Sequence, residues 1–269
     1  MAQQQWTYAP SRTSSAKLHR QIVRMRRAAR GNVAPDRPVV TFTFDDFPKS
    51  ALNGADIVEK QGGRAGFYAC TSLMGLRSPM LGEMFDASTL VELTSRGHEI
   101  GAHSHTHLDC ARHNLSKIER DIGENLVALS EAGHAGNVSA FAYPYGETTF
   151  EAKRWVSDVF VTGRGILPGV NVGETDRSQL RAVELTSSAA SRRRALAMLK
   201  NCIATKGWLF FFTHDVSSAP SSQGAPDFLI EELAKRAVEG GAILGAPTSA
   251  AALVGLMDRR TRIRDHLVS

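Results

Sequence analysis

The sequence predicts an α/β protein in which parallel strands alternate with helices, and three observations lead to this fold class. Strand-like and helix-like segments alternate regularly after residue 38, an order that favours parallel pairing. Several of the strand candidates are apolar almost throughout, which is typical of strands covered on both faces. The chain has 269 residues, a length at which α/β barrels are often undivided. A barrel or a doubly wound sheet satisfies all three observations.

Eight segments are candidates for strands. They are VVTFTF (39–44), RAGFYA (64–69), HEIGAH (98–103), SAFAYP (139–144), VFVTGR (159–164), LRAVEL (180–185), WLFFFTH (208–214) and GAILGAP (241–247). Helical patterns lie between most of them. The clearest is LSKIERDIGENLVALSEAG at 115–133, whose apolar residues recur with a period near 3.6.

The segment before the first strand predicts a basic amphipathic helix over residues 17–30. Leu18, Ile22, Met25 and Ala29 lie on one helical stripe, and the arginines lie mostly elsewhere. Two alternatives remain open for this helix. It docks on its own domain with a solvated basic face, or it contacts a membrane surface or an acidic partner.

We therefore divide the chain into three parts: a basic N-terminal extension at 1–36, a main domain at 37–257 and a C-terminal tail at 258–269. Hydrophobic residues make up 42% and charged residues 22%, which is ordinary for a globular protein and argues against disorder. A formal charge of +5 weakly favours anionic partners, although we expect no nucleic-acid partner. A homo-oligomer stays open.

Targeting and redox signals favour a cytoplasmic protein. The N-terminal sequence MAQQQWTYAP lacks the apolar core of a signal peptide, and no apolar stretch is long enough to cross a bilayer. Cys70, Cys110 and Cys202 are widely spaced and form no CxxC pattern, so we expect buried free thiols.

Polar side chains that could perform chemistry collect where the predicted strands end. They are Asp45 and Asp46 after the first strand, His103, His105 and His107 after the third, Tyr145 after the fourth, Arg164 after the fifth and His214 after the seventh. In parallel α/β folds the active site lies at this end of the sheet, because the loops there converge on one mouth.

The adjacent carboxylates Asp45 and Asp46 repel each other, so the pair is costly unless water, a cation or a shared proton compensates it. His103 and His107 share a face whether the chain continues as a strand or turns into a helix, so they can bind one ion; His105 is left out of the first shell. One carboxylate would then be a ligand, while the other takes a proton from a water activated by the ion. With His214 as an acid, the set predicts a hydrolase.

Four motifs in this order resemble a known family. TFDD stands at 43–46, HSHTH at 103–107, FAYPYG at 141–146, and the end of WLFFFTH supplies the last. Over most of residues 38 to 250 the chain resembles the polysaccharide deacetylases of carbohydrate esterase family 4, the NodB-like domain. The resemblance implies a distorted (β/α) TIM-like barrel with about seven parallel strands, so one of the eight candidates should lie outside the ring.

The resemblance also implies roles for residues. Asp46, His103 and His107 would hold one divalent ion, Zn²⁺ in the first place, with Co²⁺, Mn²⁺ and Ni²⁺ as alternatives. Asp45 would be the catalytic base and His214 the general acid.

Two further residues take roles from the same resemblance. The backbone N–H of Tyr145 would help to hold the oxyanion, and Phe212 would line the acetyl pocket. The implied reaction is the removal of an acetyl group, N-acetyl before O-acetyl, from a sugar, oligosaccharide or polysaccharide.

Three departures from the family pattern bear on the site. Ala142 stands where the family usually has arginine, and we hypothesise that Arg164 supplies this guanidinium from another backbone position; a surface arginine is the alternative. No fourth motif, an aspartate followed shortly by a tryptophan, is found between 158 and 185. Phe47 replaces a glycine, so it either narrows the substrate groove or packs as a loop anchor.

These departures leave two rival functions. One is hydrolysis of a different amide on the same scaffold, because fold and metal site do not fix the substrate. The other is a catalytically silent sugar-binding protein.

Overall fold

The computed structural model describes residues 9–11 and 13–257, and the predicted tail at 258–269 lies outside them. The strands are β1 Arg30–Val33, β2 Val39–Asp45, β3 Gly66–Ala69, β4 Arg77–Ser78, β5 Gly82–Glu83, β6 Glu99–Ala102, β7 Ala140–Ala142, β8 Thr162–Arg164, β9 Gly173–Asp176, β10 Ala182–Glu184, β11 Trp208–Thr213, β12 Val216–Ser217, β13 Ala225–Pro226 and β14 Ile243–Leu244. The α-helices are α1 Ser14–Met25, α2 Leu52–Lys60, α3 Ala87–Ser95, α4 Leu115–Glu131, α5 Phe150–Val159, α6 Ala189–Thr205, α7 Asp227–Glu239 and α8 Pro247–Leu253. Short 3₁₀ turns lie at Lys49–Ala51, Thr71–Leu73 and Pro144–Gly146.

Seven parallel strands form a nearly closed barrel, which confirms the predicted fold class. Their order is β10-β11-β2-β3-β6-β7-β8. The two outer strands approach each other through a single parallel bridge between Arg164 and Leu180, with the Leu180 N–H donating to Gly163 at 2.7 Å. The eighth candidate contributes only β14, which pairs with the start of β2 outside the ring, as the resemblance implied.

Alternation along β2 and β11 separates the barrel interior from the helix-covered outside. Val39, Trp208 and Phe210 belong to a cluster that fills the interior with residues of α8. Val40 and Phe211 belong to a second cluster, which includes residues of the surrounding helices. Because side chains of a strand alternate between its two faces, both faces of β2 are buried, and this explains its uninterrupted apolar run.

The N-terminal helix differs from the prediction in length and in orientation. It ends at Met25 rather than Arg30, where the buried ammonium of Lys153 donates to the carbonyls of Val23 at 3.0 Å and Arg26 at 2.7 Å. The chain then forms β1, which pairs antiparallel with β9. Met25 is 74% exposed whereas Val23 is buried, so the apolar stripe faces away from the barrel. The structure therefore contradicts the alternative in which the helix docks on its domain through the apolar stripe, although Lys17, Arg26 and Arg27 are exposed as well.

Other expectations about the chain agree with the structure. Cys70, Cys110 and Cys202 are free and buried, as their spacing predicted. Within the described part of the chain, no helix combines the length and the apolar character needed to cross a bilayer.

Candidate active site

Asp45 ends β2 inside the barrel mouth, where Arg164 of β8 holds it. The Arg164 Nη2 donates to both carboxylate oxygens of Asp45, at 2.6 Å and 2.5 Å, and Nη1 donates to the Gly165 carbonyl at 3.1 Å. The guanidinium lies between the rings of Tyr68 and Phe212, 5.1 Å and 4.7 Å from their centroids. Both groups are buried, so the carboxylate is fixed in position by its partner.

Asp46, the next residue, points into a cluster with His103 and His107. The Nε2 atoms of the two histidines lie 3.6 Å and 3.3 Å from the Asp46 Oδ1, and the potential ligand atoms of the three residues all lie within 4.8 Å of one another. One carboxylate and two imidazoles are a donor set that suits Zn²⁺ and similar divalent ions. Three protein ligands leave coordination positions for reactants, as in catalytic sites.

Two observations show that the three residues fit a cation. The Asp46 Oδ1 is buried and has no hydrogen-bond partner among the described residues, although an isolated buried carboxylate oxygen is costly. Burial lowers the pKa of His103 to about 4, so this imidazole is neutral and able to bind a metal near pH 7. His103 also donates through Nδ1 to the Ala142 carbonyl at 2.8 Å, which directs Nε2 toward the cluster.

Helix α4 holds the loop that carries these histidines. The Asp121 Oδ1 accepts from the backbone N–H of His105 at 2.8 Å and of Thr106 at 3.1 Å. Asn125 is fully buried and donates to the carbonyl of Ser104 at 2.9 Å. His105 itself contacts Thr71 through Nδ1 at 2.8 Å and is not in the ligand cluster, in agreement with its exclusion.

His214 follows β11 on the other side of Asp46. Its Nε2 lies 3.9 Å from the Asp46 Oδ2, and its Nδ1 lies 3.2 Å from the Gln223 carbonyl. Asp215 shapes the loop that carries this carbonyl, because its carboxylate accepts from the Ser221 N–H at 2.7 Å and from the Ser221 hydroxyl. The loop therefore fixes the imidazole so that Nε2 faces the mouth.

A cavity of about 380 Å³ joins these groups. Its walls are formed by Ala9, Pro10, Asp45, Asp46, His103, His107, Tyr143, Tyr145, Gly146, Ile166, Pro168, Glu184, Arg194, Phe212, His214 and Gln223. Sequence reasoning missed Glu184, Arg194 and Gln223, and no motif signal marks them. Glu184 ends β10, so the rule that strand ends line the mouth could have found it.

Comparison with known proteins relates part of the chain to a known family. The sequence profile described as polysaccharide deacetylase matches residues 32–159, which include the Asp45 and Asp46 pair and the histidine motif. This part of the chain, a little under half of its length, is similar to the polysaccharide deacetylase family. No curated protein matches the chain significantly.

Solved structures of several deacetylases share the fold. A putative polysaccharide deacetylase from Mycobacterium smegmatis is 14% identical with a TM-score of 0.58, over 83% of this chain and 95% of that chain. A family 4 acetyl xylan esterase from Clostridium thermocellum, determined with a cobalt ion, is 18% identical with a TM-score of 0.56, over 80% and 91%. The peptidoglycan deacetylase PdaC from Bacillus subtilis is 16% identical with a TM-score of 0.51, over 87% and 98%.

The structure shows which guanidinium lies beside Asp45 when alanine, and not arginine, stands at position 142. Ala142 and Arg164 are direct partners in the register of β7 and β8, so both project from the same level of the barrel wall. The guanidinium is inside the mouth, and the alternative of a surface arginine is wrong. A group missing from one strand is thus supplied by its neighbour.

Phe47 does not line the substrate groove, so its proposed contact with substrate is wrong. Its backbone is left-handed, with φ at 59°, and the ring turns away from the mouth. It is fully buried and stacks on Phe85 with centroids 4.8 Å apart, and it also contacts Phe67 at 5.0 Å. The alternative, a packed loop anchor, is the one found.

Tyr145 lies where the third motif placed it, at the cavity wall. It adopts φ 59° and ψ 1° within the turn Pro144–Gly146, and its ring packs against His107 with centroids 4.4 Å apart. Gly146 has φ 67°, and a Cβ there would lie 2.3 Å from Ile166. The turn therefore needs glycine, and it carries the Tyr145 backbone beside the metal-ligand cluster.

Proposed function

We propose that the protein is a metal-dependent deacetylase that hydrolyses N-acetyl groups on a sugar, oligosaccharide or polysaccharide. The proposal rests on the different surroundings of two adjacent carboxylates, those of Asp45 and Asp46. Arg164 holds Asp45 through hydrogen bonds, whereas Asp46 lies beside histidines and has one oxygen without a hydrogen-bond partner among the described residues. One carboxylate is thus available as a base and the other as a ligand, both at the wall of one cavity.

Asp46, His103 and His107 would hold one divalent ion, Zn²⁺ in the first place, with Co²⁺, Mn²⁺ or Ni²⁺ as alternatives. When bound, such an ion polarises a carbonyl and makes water more acidic. The ligand assignment rests on the burial of Asp46 and on the neutral state of His103.

Asp45 takes a proton from the water whose oxygen bonds to the acetyl carbon. Arg164 prevents the carboxylate from turning toward the ion, because both its oxygens are engaged by the same guanidinium. The Tyr145 N–H stabilises the oxyanion, a contribution of about 3 kcal/mol for one donor. Arg164 therefore acts through Asp45 and is a positioning residue.

His214 donates the second proton. Its Nε2 faces the mouth because its Nδ1 is bound to Gln223, so it can protonate the sugar nitrogen as the carbon–nitrogen bond breaks. The second proton of the water stays on the carboxyl group, which leaves as acetic acid beside the free amine, and the proton held by Asp45 returns through solvent to His214. Phe212, beneath the guanidinium and at the cavity wall, would contact the acetyl methyl group.

The test is acetate release from a panel of N-acetylated and O-acetylated oligosaccharides. The protein is first stripped with a chelator and then reloaded with Zn²⁺. We expect release from N-acetylated members that returns with Zn²⁺ and is lost in Asp45→Asn. No release from any member, with the ion demonstrably bound, would contradict the proposal and favour a silent sugar-binding protein or another amide as substrate.

A further inference from the structure

Helix α1 presents its apolar face to solvent. Leu18 is 60% exposed, Ile22 44% and Met25 74%. Their spacing along the helix places them on one face. A helix normally turns such a stripe toward the core of its own domain, so this face is a surface for something outside the barrel.

The barrel holds the helix in this orientation. Lys153 is fully buried, and its Nζ binds two carbonyls at the end of α1 and lies 2.7 Å from the Asp176 Oδ2. Near the other end, Arg20 donates to the Ser11 carbonyl at 2.9 Å and lies 3.4 Å from Glu147. Rolling the stripe inward would break these contacts, and the stripe is therefore not simply misplaced.

The charges on α1 and on the residues directly after it have one sign, although Glu174 of β9 lies 2.5 Å from Arg27 and 3.7 Å from Arg30. Residues 14–30 include no acidic residue, and their basic residues are Lys17, Arg20, Arg24, Arg26, Arg27 and Arg30. Four of them, at 17, 26, 27 and 30, have exposed side chains. Apolar side chains within a basic rim are the pattern of helices that lie in the interface of a membrane with anionic lipids.

We propose that α1 docks this face, formed by Leu18, Ile22 and Met25, on a membrane that carries anionic headgroups. A second copy of the chain fits less well, because its α1 would bring the same excess of positive charge to the contact. The chain's own residues 258–269 fit less well for the same reason, since they contain four arginines and two aspartates.

The position of α1 links docking to the cavity. Pro10 lines the catalytic cavity together with Ala9, and the helix begins shortly after it at Ser14. A membrane contact through α1 would therefore hold the cavity close to the lipid surface. Binding itself requires no turnover, so the proposal stands independently of the reaction.

The experiment is co-sedimentation with phosphatidylcholine vesicles, with and without phosphatidylglycerol. We expect the protein to bind the anionic vesicles and not the neutral ones. The variant Leu18→Ser/Ile22→Ser/Met25→Ser should bind at least about ten-fold more weakly. The matched control Val91→Ser/Val127→Ser/Phe228→Ser alters side chains that are 50%, 57% and 59% exposed elsewhere and should bind like the unmodified protein.

A charge variant separates the two components of binding. Lys17→Gln/Arg30→Gln should weaken binding to anionic vesicles and reduce its sensitivity to salt, whereas the control Arg193→Gln/Lys235→Gln should not. An unchanged thermal unfolding midpoint shows that each variant is folded. The proposal would be overturned if the unmodified protein bound neither type of vesicle. It would also be overturned if the variant Leu18→Ser/Ile22→Ser/Met25→Ser bound anionic vesicles as well as the unmodified protein does. A dimer in gel filtration that this triple variant abolishes would overturn it in favour of a contact between two copies.

Discussion

The two ends of the barrel treat buried polar groups differently. At the closed end, α8 packs over the interior, and the buried Trp208 indole donates to the Thr41 hydroxyl at 2.8 Å. At the open end, the buried Asp46 carboxylate oxygen has no partner among the described residues. The Trp208 indole has its partner within the chain, whereas the Asp46 oxygen would find one in the ion that the proposed function requires.

The backbone shows the same contrast. Among the described non-glycine residues, left-handed φ values occur at Asp46, Phe47, Ser104, His107, Tyr145 and Lys206. All but the last lie within or next to the motifs at the mouth. Such conformations are costly, on the order of 1 kcal/mol each, so the stability of the rest of the barrel maintains a strained site.

The largest effect should follow from removing the base at the mouth. In Asp45→Asn the water loses its proton acceptor while the other site residues remain, so kcat for acetate release should fall about 10³-fold. Asp36→Asn makes the same chemical change at an exposed position and should leave kcat unchanged. Near-normal turnover by Asp45→Asn would show that another group is the base.

Removing the Arg164 guanidinium tests how the buried charge of Asp45 is stabilised at the mouth of the barrel. Arg164→Ala should lower kcat about 10²-fold, and it should cost about 3 to 5 kcal/mol of unfolding free energy, because Asp45 is left unpaired. Since Ala142 is the cross-strand partner of Arg164, adding Ala142→Arg should restore part of both. Full activity in the single variant would contradict the positioning role.

A substitution of Phe47 tests whether a loop residue next to the site affects stability without affecting substrate binding. Phe47→Ala removes a fully buried, stacked ring, so unfolding free energy measured with urea should fall by about 3 kcal/mol. The KM for the sugar should not change, because the ring is not at the cavity wall. Phe228→Ala, at a ring 59% exposed, should cost less than about 0.5 kcal/mol. A changed KM in Phe47→Ala would restore a role for this ring in substrate binding.

The smallest effect concerns Glu99, which accepts from the backbone N–H of Thr248 at 2.7 Å at the start of α8. Burial raises the pKa of Glu99 from 4.5 to about 7. Between these values the folded protein binds more protons than the unfolded chain, so stability falls as the pH rises from 4.5 to 7. Glu99→Gln should remove about 1 kcal/mol of this fall, since the carboxylate is only partly buried.

Urea unfolding at pH 5 and pH 8 checks this prediction. The loss of stability between the two pH values should be smaller in Glu99→Gln than in the unmodified protein. An identical pH dependence would show that Glu99 does not titrate in this range.

Much of the barrel and its mouth could be predicted from the sequence. Apolar runs that end on polar residues identified the strands and brought Asp46, His103 and His107 to one place. The orientation of Phe47 could not be predicted, because two successive left-handed residues, Asp46 and Phe47, redirect its side chain. A role for Arg164 could be proposed only because Ala142 stands where the family usually has arginine.

The orientation of α1 was predicted wrongly for a different reason. Periodicity shows that a helix has an apolar stripe, but not which face the domain binds. The buried ammonium of Lys153 and the carboxylate of Asp176 fix the helix through its backbone carbonyls, and these contacts leave no pattern in the sequence of α1 itself.

Zinc titration of the stripped protein by calorimetry tests the central claim, that Asp45 and Asp46 have separate roles. We expect one ion per chain for the unmodified protein and for Asp45→Asn, and loss of binding in Asp46→Ala. No binding by the unmodified protein, or loss in Asp45→Asn as in Asp46→Ala, would contradict it.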